Sequence, residues 1–308
     1  MAKRPTLLQH FRSFAYQNNI SDFDKALEYF AVFGGTGWDV DTSKSLDTLI
    51  KEKILCNYEP LHNGIIRFTH GNALYHLLLS HIASGIEHED AVYKKARVGR
   101  DKGEEAIDYL EMKSLLRFES SVEKPLNSTD GLSDRVYFEL PFMRFWFAVV
   151  SPYYKSISEG DFSEFEQAWG KLKDNFSILL SNFLVLELVQ QHFKQKFSDD
   201  LIHSIGSYYD KQVHIEILAK RKSEQVLAGE CKYSQKPAKI NMLAMLKEKC
   251  DRVELEVTNY ILFSKNGFEP ELEALADTYL TLFTQNDLAS LLHNLEEEDL
   301  LKYTNKKY

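Results

Sequence analysis

Residues 225–233 read Gln225-Val226-Leu227-Ala228-Gly229-Glu230-Cys231-Lys232-Tyr233, an apolar run carrying one acid and one base two positions apart. In an extended chain successive side chains point to opposite faces. Val226, Ala228, Glu230 and Lys232 therefore share one face, and Leu227, Gly229, Cys231 and Tyr233 the other. The Glu-x-Lys pair points at a single place.

Working outward, Ile205–Tyr209 and Gln212–Leu218 are predicted extended, and strict alternation sets Val213, Ile215 and Ile217 opposite His214 and Glu216. A neighbouring pairing would bring Glu216 beside Glu230. A long apolar helix, Phe176–Phe193, precedes these strands, while an amphipathic helix, Ile240–Cys250, and a strand, Val257–Ser264, follow them. The order helix, three strands, helix, strand is α/β. Two adjacent carboxylates form a hard-oxygen site of the kind that holds Mg²⁺ together with water and phosphate oxygens. A lysine beside such a site orients a water or neutralises developing charge. Lys220, Arg221, Lys222, Lys236 and Lys239 are the basic residues expected near that edge to contact a nucleic-acid backbone.

Several ordered motifs extend this pattern: Tyr137-Phe138-Glu139-Leu140-Pro141-Phe142-Met143-Arg144-Phe145-Trp146, Ile205-Gly206-Ser207-Tyr208-Tyr209, His214-Ile215-Glu216-Ile217-Leu218-Ala219, Ala228-Gly229-Glu230-Cys231-Lys232-Tyr233 and Tyr260-Ile261-Leu262-Phe263-Ser264-Lys265. Residues from about 135 to 268 thereby resemble the C-terminal region of a family of archaeal and bacterial DEXX-box ATPases, a region regarded as nuclease-like, of the PD-(D/E)XK kind. The resemblance implies that fold, with Glu216, Glu230 and Glu187 as ligands of Mg²⁺ or Mn²⁺, Lys232 assisting the attacking water, and DNA as the substrate. Two positions depart from the family: Glu216 stands where it has Asp, and Glu187 aligns only with a shift along the helix. The ATPase signature GxxxxGK[ST] is missing, and Gly34-Gly35-Thr36-Gly37 runs into Trp38, so an ATP-driven role would need a partner protein carrying the ATPase. A catalytically silent module of the same fold, docking on DNA or protein, is the alternative.

Toward the N-terminus, Asp22–Phe33 and the segment from Leu46 are helical in period, and Ile54–Tyr58 and Ile65–Thr69, separated by His62-Asn63-Gly64, are predicted as a hairpin. Asp90–Val98 and Glu104–Lys113 repeat the helical pattern, followed by extended Leu115–Ser120 and Arg135–Leu140 around a polar connection, 124–134. Residues 141–154 form an aromatic helix. The expected architecture is therefore α+β / α/β: helical winged-helix-like units over 1–85 and 86–170, a PD-(D/E)XK restriction-endonuclease-like domain with a mixed central sheet over 171–269, and an acidic helical extension over 270–308. The acidic balance of residues 1–170 favours protein docking over DNA for the winged-helix units.

Composition sets outer limits. The 308 residues are 44% hydrophobic and 27% charged, the make-up of a globular protein. No run approaches the ~18 to 20 apolar residues of a membrane span, and Met1–His10 lacks the apolar core of a signal peptide, so a cytoplasmic protein without membrane partners is expected. Cys56, Cys231 and Cys250 form no CxxC pair, which points to reduced structural thiols. His70, His76 and His81 lack HExxH spacing. Asp39, Asp41 and Ser43 mimic a calcium loop until Lys44 takes the glycine position and Ile50 that of the bidentate carboxylate. There is no GxSxG. The formal net charge is −9, and only the segment 171–269 has a slight basic excess. DNA affinity is thus expected to be weak and to fall steeply between about 50 and 200 mM salt, since it would rest on a few lysine–phosphate contacts. Fluorescence anisotropy across that range checks this; nanomolar binding indifferent to salt would contradict it.

Overall fold

The computed structural model describes residues 5–277 and 279–301. The chain divides into two compact units, one of residues 1–119, 134–177 and 294–308, the other of residues 120–133 and 178–293.

The first unit contains α1 (Leu7–Gln17), α2 (Phe23–Phe33), α3 (Leu46–Lys53), α4 (Tyr58–Thr69), α5 (Ala73–Ala83), α6 (Glu89–Ala96) and α7 (Arg100–Met112). β1 (Leu116–Glu119), β2 (Arg135–Phe138), α8 (Pro141–Phe145), α9 (Tyr154–Ser158) and α10 (Ser163–Leu172) follow. Side-chain caps start the early helices: Thr6 and Gln9 form a capping box, and Asp22 and Ser45 accept from the backbone of Lys25 and Thr48.

The hairpin expected at 54–69 is instead a 3-10 turn, Leu55–Asn57, running into α4, and the reason is periodicity. Tyr58, Ile65 and Thr69 are buried and Leu61, His62 and Ile66 half-buried, so burial recurs on one helical face. Pro60 lies in the first turn, where a missing N–H costs little, and Gly64 is carried inside the helix despite its turn-like neighbours. The helix ends at His70 and Gly71, both left-handed. Among the described residues, 5–85 are therefore helical without a hairpin. The second pattern is present as expected: α6 and α7 precede an antiparallel pair, β1–β2, and a bridge joins His88 to Arg135. Aromatic packing fills the core, with Phe145 edge-on to Trp169 at 5.2 Å and Tyr58 stacked on Trp146 at 5.6 Å. Arg12 grips Asp299 with two hydrogen bonds of 2.6 and 2.8 Å, joining the C-terminal segment to α1.

The second unit contains α11 (Ile178–Lys196), β3 (Ile202–Tyr209), β4 (His214–Arg221), β5 (Val226–Lys232), α12 (Ile240–Arg252), β6 (Val257–Ser264), α13 (Pro270–Glu273), β7 (Leu280–Thr284) and α14 (Gln285–Ala289). The sheet order is β3-β4-β5-β6-β7. β3–β4 and β4–β5 are antiparallel, and β5–β6 and β6–β7 are parallel. Leu243, Leu246 and Cys250 of α12 join Leu218, Ala228, Leu262 and Leu280 in one core cluster. Phe283, of opposite phase to Leu280 and Leu282, meets His192 of α11 at 5.1 Å, so α11 covers the other face. The tail expected to be wholly helical supplies β7, because Leu280 and Phe283 are buried and Thr, Leu and Phe suit a strand. The tail's last residues, 302–308, lie outside those described.

Residues 120–133, which connect β1 to β2, run along the edge strand β3. Val122 N donates to Ser207 O at 2.9 Å, Tyr209 N to Ser121 Oγ at 3.2 Å and Lys211 N to Asp130 O at 3.0 Å. Hydrogen-bonding groups that an edge would expose are thereby paired.

Gly229 sits in the middle of the sheet, where an added Cβ would meet Ile261 O at 2.6 Å and Ile261 Cβ at 2.9 Å. Gly229→Ala is expected to destabilise the protein by about 1–3 kcal/mol through forced separation of β5 from β6. Gly64→Ala, where nothing lies within 4 Å, is expected to stabilise α4 by about 0.5–1 kcal/mol. Urea unfolding of the two variants, which should move in opposite directions, checks both.

Candidate functional site

β4 and β5 are paired from Lys220↔Val226 to Ile217↔Gly229, and there the ladder stops, although β4 extends to His214 and β5 to Lys232. The register of β4 with β3 changes at the same place. It steps from Gly206↔Leu218 to Tyr208↔Ile215, so Glu216 and Ile217 together oppose Ser207. This is a β-bulge, which bends its strand and re-aims side chains. Ile215 and Leu218 consequently enter the same cluster against α12. Ile217 turns the other way, its Cδ1 only 3.1 Å from where a Gly229 Cβ would stand. The expected common face for Ile215 and Ile217 is corrected: the additional residue breaks the alternation on which it rested.

Past the bulge the Glu216 side chain takes over the work of the strand. Cys231 N donates to Glu216 Oε2 at 2.5 Å, where a regular ladder would use a main-chain carbonyl. Burial, joined by the Glu216 charge, pushes the Cys231 thiol well up, and burial does the same to the Tyr233 hydroxyl.

The Glu230 side chain is only 15% exposed, and Lys249 Nζ of α12 lies 2.7 Å from its Oε1. Burial, with the neighbouring Glu216 charge, raises the Glu230 carboxyl to about 7 even though the Lys249 ammonium opposes the shift. Glu216 and Glu230 are thus brought within electrostatic reach of each other. Lys232 is two residues further along β5, opposite Ser264 of β6, and forms no ion pair among the described residues. Glu187 is half-buried on α11, and burial raises its carboxyl. Among the described residues no group of three or more His, Cys, Asp or Glu is arranged to hold a metal ion.

The five basic residues divide. Lys220 pairs with Glu123. Arg221 is buried, bound to Asp200 at 2.8 Å and to Gln225 Oε1 at 2.6 Å, with its guanidinium 3.9 Å from the centre of the Phe197 ring. Lys239 pairs with Glu269 at 2.8 Å. Lys222 and Lys236 are exposed and, among the described residues, form no ion pair. Lys220, Arg221 and Lys222 also sit at the turn end of β4, about 13–20 Å along the strand from Glu216 at ~3.3 Å per residue. Lys236 and Lys239 follow the end of β5 that carries Lys232.

Lys249 is the residue that sequence reasoning missed. On α12 it lies between Leu246 and Cys250 of the apolar stripe, and a charge inside a buried stripe is the signal that it has a partner.

A family described as archaeal and bacterial proteins of unknown function, DUF234, matches residues 146–249. The match takes in Glu187, Glu216, Glu230, Lys232 and Lys249. No curated protein and no solved structure matches the chain.

A carboxyl whose value rises from 4.5 to about 7 on folding holds its proton more tightly in the folded state. Its contribution to stability is complete below pH 4.5 and is lost as pH rises toward 7. Glu230→Gln removes that dependence. Between pH 5 and pH 8 the wild type should lose about 2–3 kcal/mol relative to Glu230→Gln, measured by urea unfolding of both proteins at the two pH values.

Proposed function

We propose that the second unit is a PD-(D/E)XK-type nuclease fold and that it hydrolyses DNA phosphodiester bonds at Glu216, Glu230 and Lys232. The order α11-β3-β4-β5-α12-β6, an antiparallel meander continued through a helix into a parallel strand, supports the fold. The observation that carries the function is the coincidence of three features at one point. The β4–β5 ladder ends, the Glu216 charge reaches Glu230, and a lysine follows Glu230 at the spacing that returns it to the same side of the strand.

The donor set suits a hard divalent cation, because Mg²⁺ is held by one or two carboxylates with water and phosphate oxygens completing its shell. Glu216 and Glu230 would hold Mg²⁺ or Mn²⁺, which when bound supplies Lewis acidity and a more acidic water. Burial of Glu230 strengthens every charge interaction there. Lys232, without an ion pair among the described residues, is available to a phosphate oxygen or an attacking water. Lys236 is the exposed cation best placed for the DNA backbone, with Lys222 more distant. In the first unit, α5 to α7 followed by β1–β2 and the His88–Arg135 bridge support a winged helix built from 73–119 and 134–138. The family resemblance adds a separate ATPase chain as the protein partner.

A second reading, a non-catalytic module of this fold, is favoured by the engagement of both carboxylates inside the protein, Glu216 by Cys231 N–H and Glu230 by Lys249. Cleavage assays on single- and double-stranded DNA with Mg²⁺ or Mn²⁺ decide between them. The expected outcome is metal-dependent cleavage that Glu230→Gln lowers by about 100-fold or more. A wild type that cleaves neither substrate, or a variant that cleaves equally well, sinks the catalytic reading.

A further inference from the structure

The Glu230–Lys249 pair joins the sheet to α12 at the point where the carboxylates meet. Lys249 Nζ is 2.7 Å from Glu230 Oε1, and the lysine side chain remains 32% exposed while that of Glu230 is 15% exposed. Lys249 sits in sequence between the buried Leu246 and Cys250, and its four-carbon stem allows the ammonium to swing toward water. The other cations nearby on α12 are committed elsewhere. Lys247 lies over the Tyr260 and Tyr279 rings at 5.3 and 5.7 Å, and Arg252 pairs with Glu248 at 2.5 Å. Only Lys249, of these three, answers the charge on Glu230.

We infer that Lys249 is the resident counter-cation of this carboxylate pair, and that a divalent cation reaches Glu230 only by displacing it. The inference rests on the metal-site reading given above and adds a residue that the Glu-x-Lys motif does not contain. An ammonium hydrogen-bonded to one oxygen of a ligating carboxylate stands within a few ångströms of any ion on the other oxygen, and the two cations repel strongly in a half-buried site. Lys249 thereby lowers the carboxylates' affinity for metal and lets the pair stay buried without it, since an uncompensated buried carboxylate is costly. Metal entry and release of α12's hold on β5 become one event.

The test uses the full-length protein and Mn²⁺, with binding followed by calorimetry for the wild type, Lys249→Met, Lys249→Arg and Glu230→Gln. Thermal unfolding of each variant is recorded alongside. Removing the ammonium while keeping the stem, Lys249→Met, is expected to tighten Mn²⁺ binding about tenfold or more, whereas Lys249→Arg keeps the charge and leaves binding weak. Glu230→Gln abolishes it. A second measurement needs no variant. Amine-selective labelling of the wild type, mapped by mass spectrometry, should show Lys249 becoming more reactive on Mg²⁺ addition while Lys239 and Lys247 do not change. Equal Mn²⁺ affinity in the wild type and Lys249→Met, with both lost in Glu230→Gln, would leave the metal site standing and overturn the displacement. Unchanged labelling of Lys249 under saturating Mg²⁺ overturns it too. Failure of all four proteins to bind Mn²⁺ would remove the metal-site reading itself, and the inference with it.

Discussion

A single hydrogen bond, from Cys231 N–H to Glu216 Oε2, reconciles two demands that a regular sheet cannot meet together. β4 must follow β3 on one side and β5 on the other, yet the bulge at Glu216–Ile217 gives β4 one residue more than β3 can match. The ladder to β5 ends there, and an N–H at the middle of the sheet would be left unmade at a cost of about 1–3 kcal/mol. A carboxylate supplies what the main chain withdraws. The length of Glu matters for this, because Asp would draw the oxygen back by about one bond length, roughly 1.5 Å, and out of hydrogen-bonding range. Glutamate where the resembling family carries Asp therefore has a local structural reason.

The carboxylate of Glu216 also places charge beside the half-buried end of β5. Glu216 is held by the main chain of β5, its charge reaches Glu230, and Lys249 of α12 pairs with Glu230. Burial is the larger cause of the raised Glu230 carboxyl and the raised Cys231 thiol, and the Glu216 charge adds to both.

Much of the second unit was legible before any coordinates. α11, β3 to β6 and α12 follow from periods of 3.6 and 2, and Glu230 and Lys232 share a phase within one unbroken strand. What alternation cannot reveal is a change of phase, so Ile215 and Ile217 were assigned to a common face. Contacts between distant segments were equally hidden: Lys249 meets Glu230 across a helix and a loop, and Arg221 meets Asp200 and Phe197 around a turn, which turns an expected DNA contact into a structural clamp. In the first unit, His62-Asn63-Gly64 has the local chemistry of a turn. The recurrence of Tyr58, Ile65 and Thr69 overrode it, because burying one helical face outweighs the ~1 kcal/mol cost of an internal glycine. β7 was missed for the converse reason, a short strand hidden in an acidic tail.

The two units are interleaved along the chain, and this constrains how the protein can be made. Residues 120–133 leave the ribosome well before β3, the strand whose edge they cover. Asp299, which receives Arg12 in the first unit, is synthesised after the whole sheet. Neither unit can therefore be finished in order of synthesis, as consecutive domains ordinarily are. The contact of Arg12 with Asp299 forms only after residue 299 is made, and the sheet recruits a strip laid down earlier. A contiguous fragment such as 178–293 would expose β3's edge as a row of unpaired donors and acceptors, ready to pair with another copy. For this chain, truncation is a route to aggregation rather than to an isolated domain.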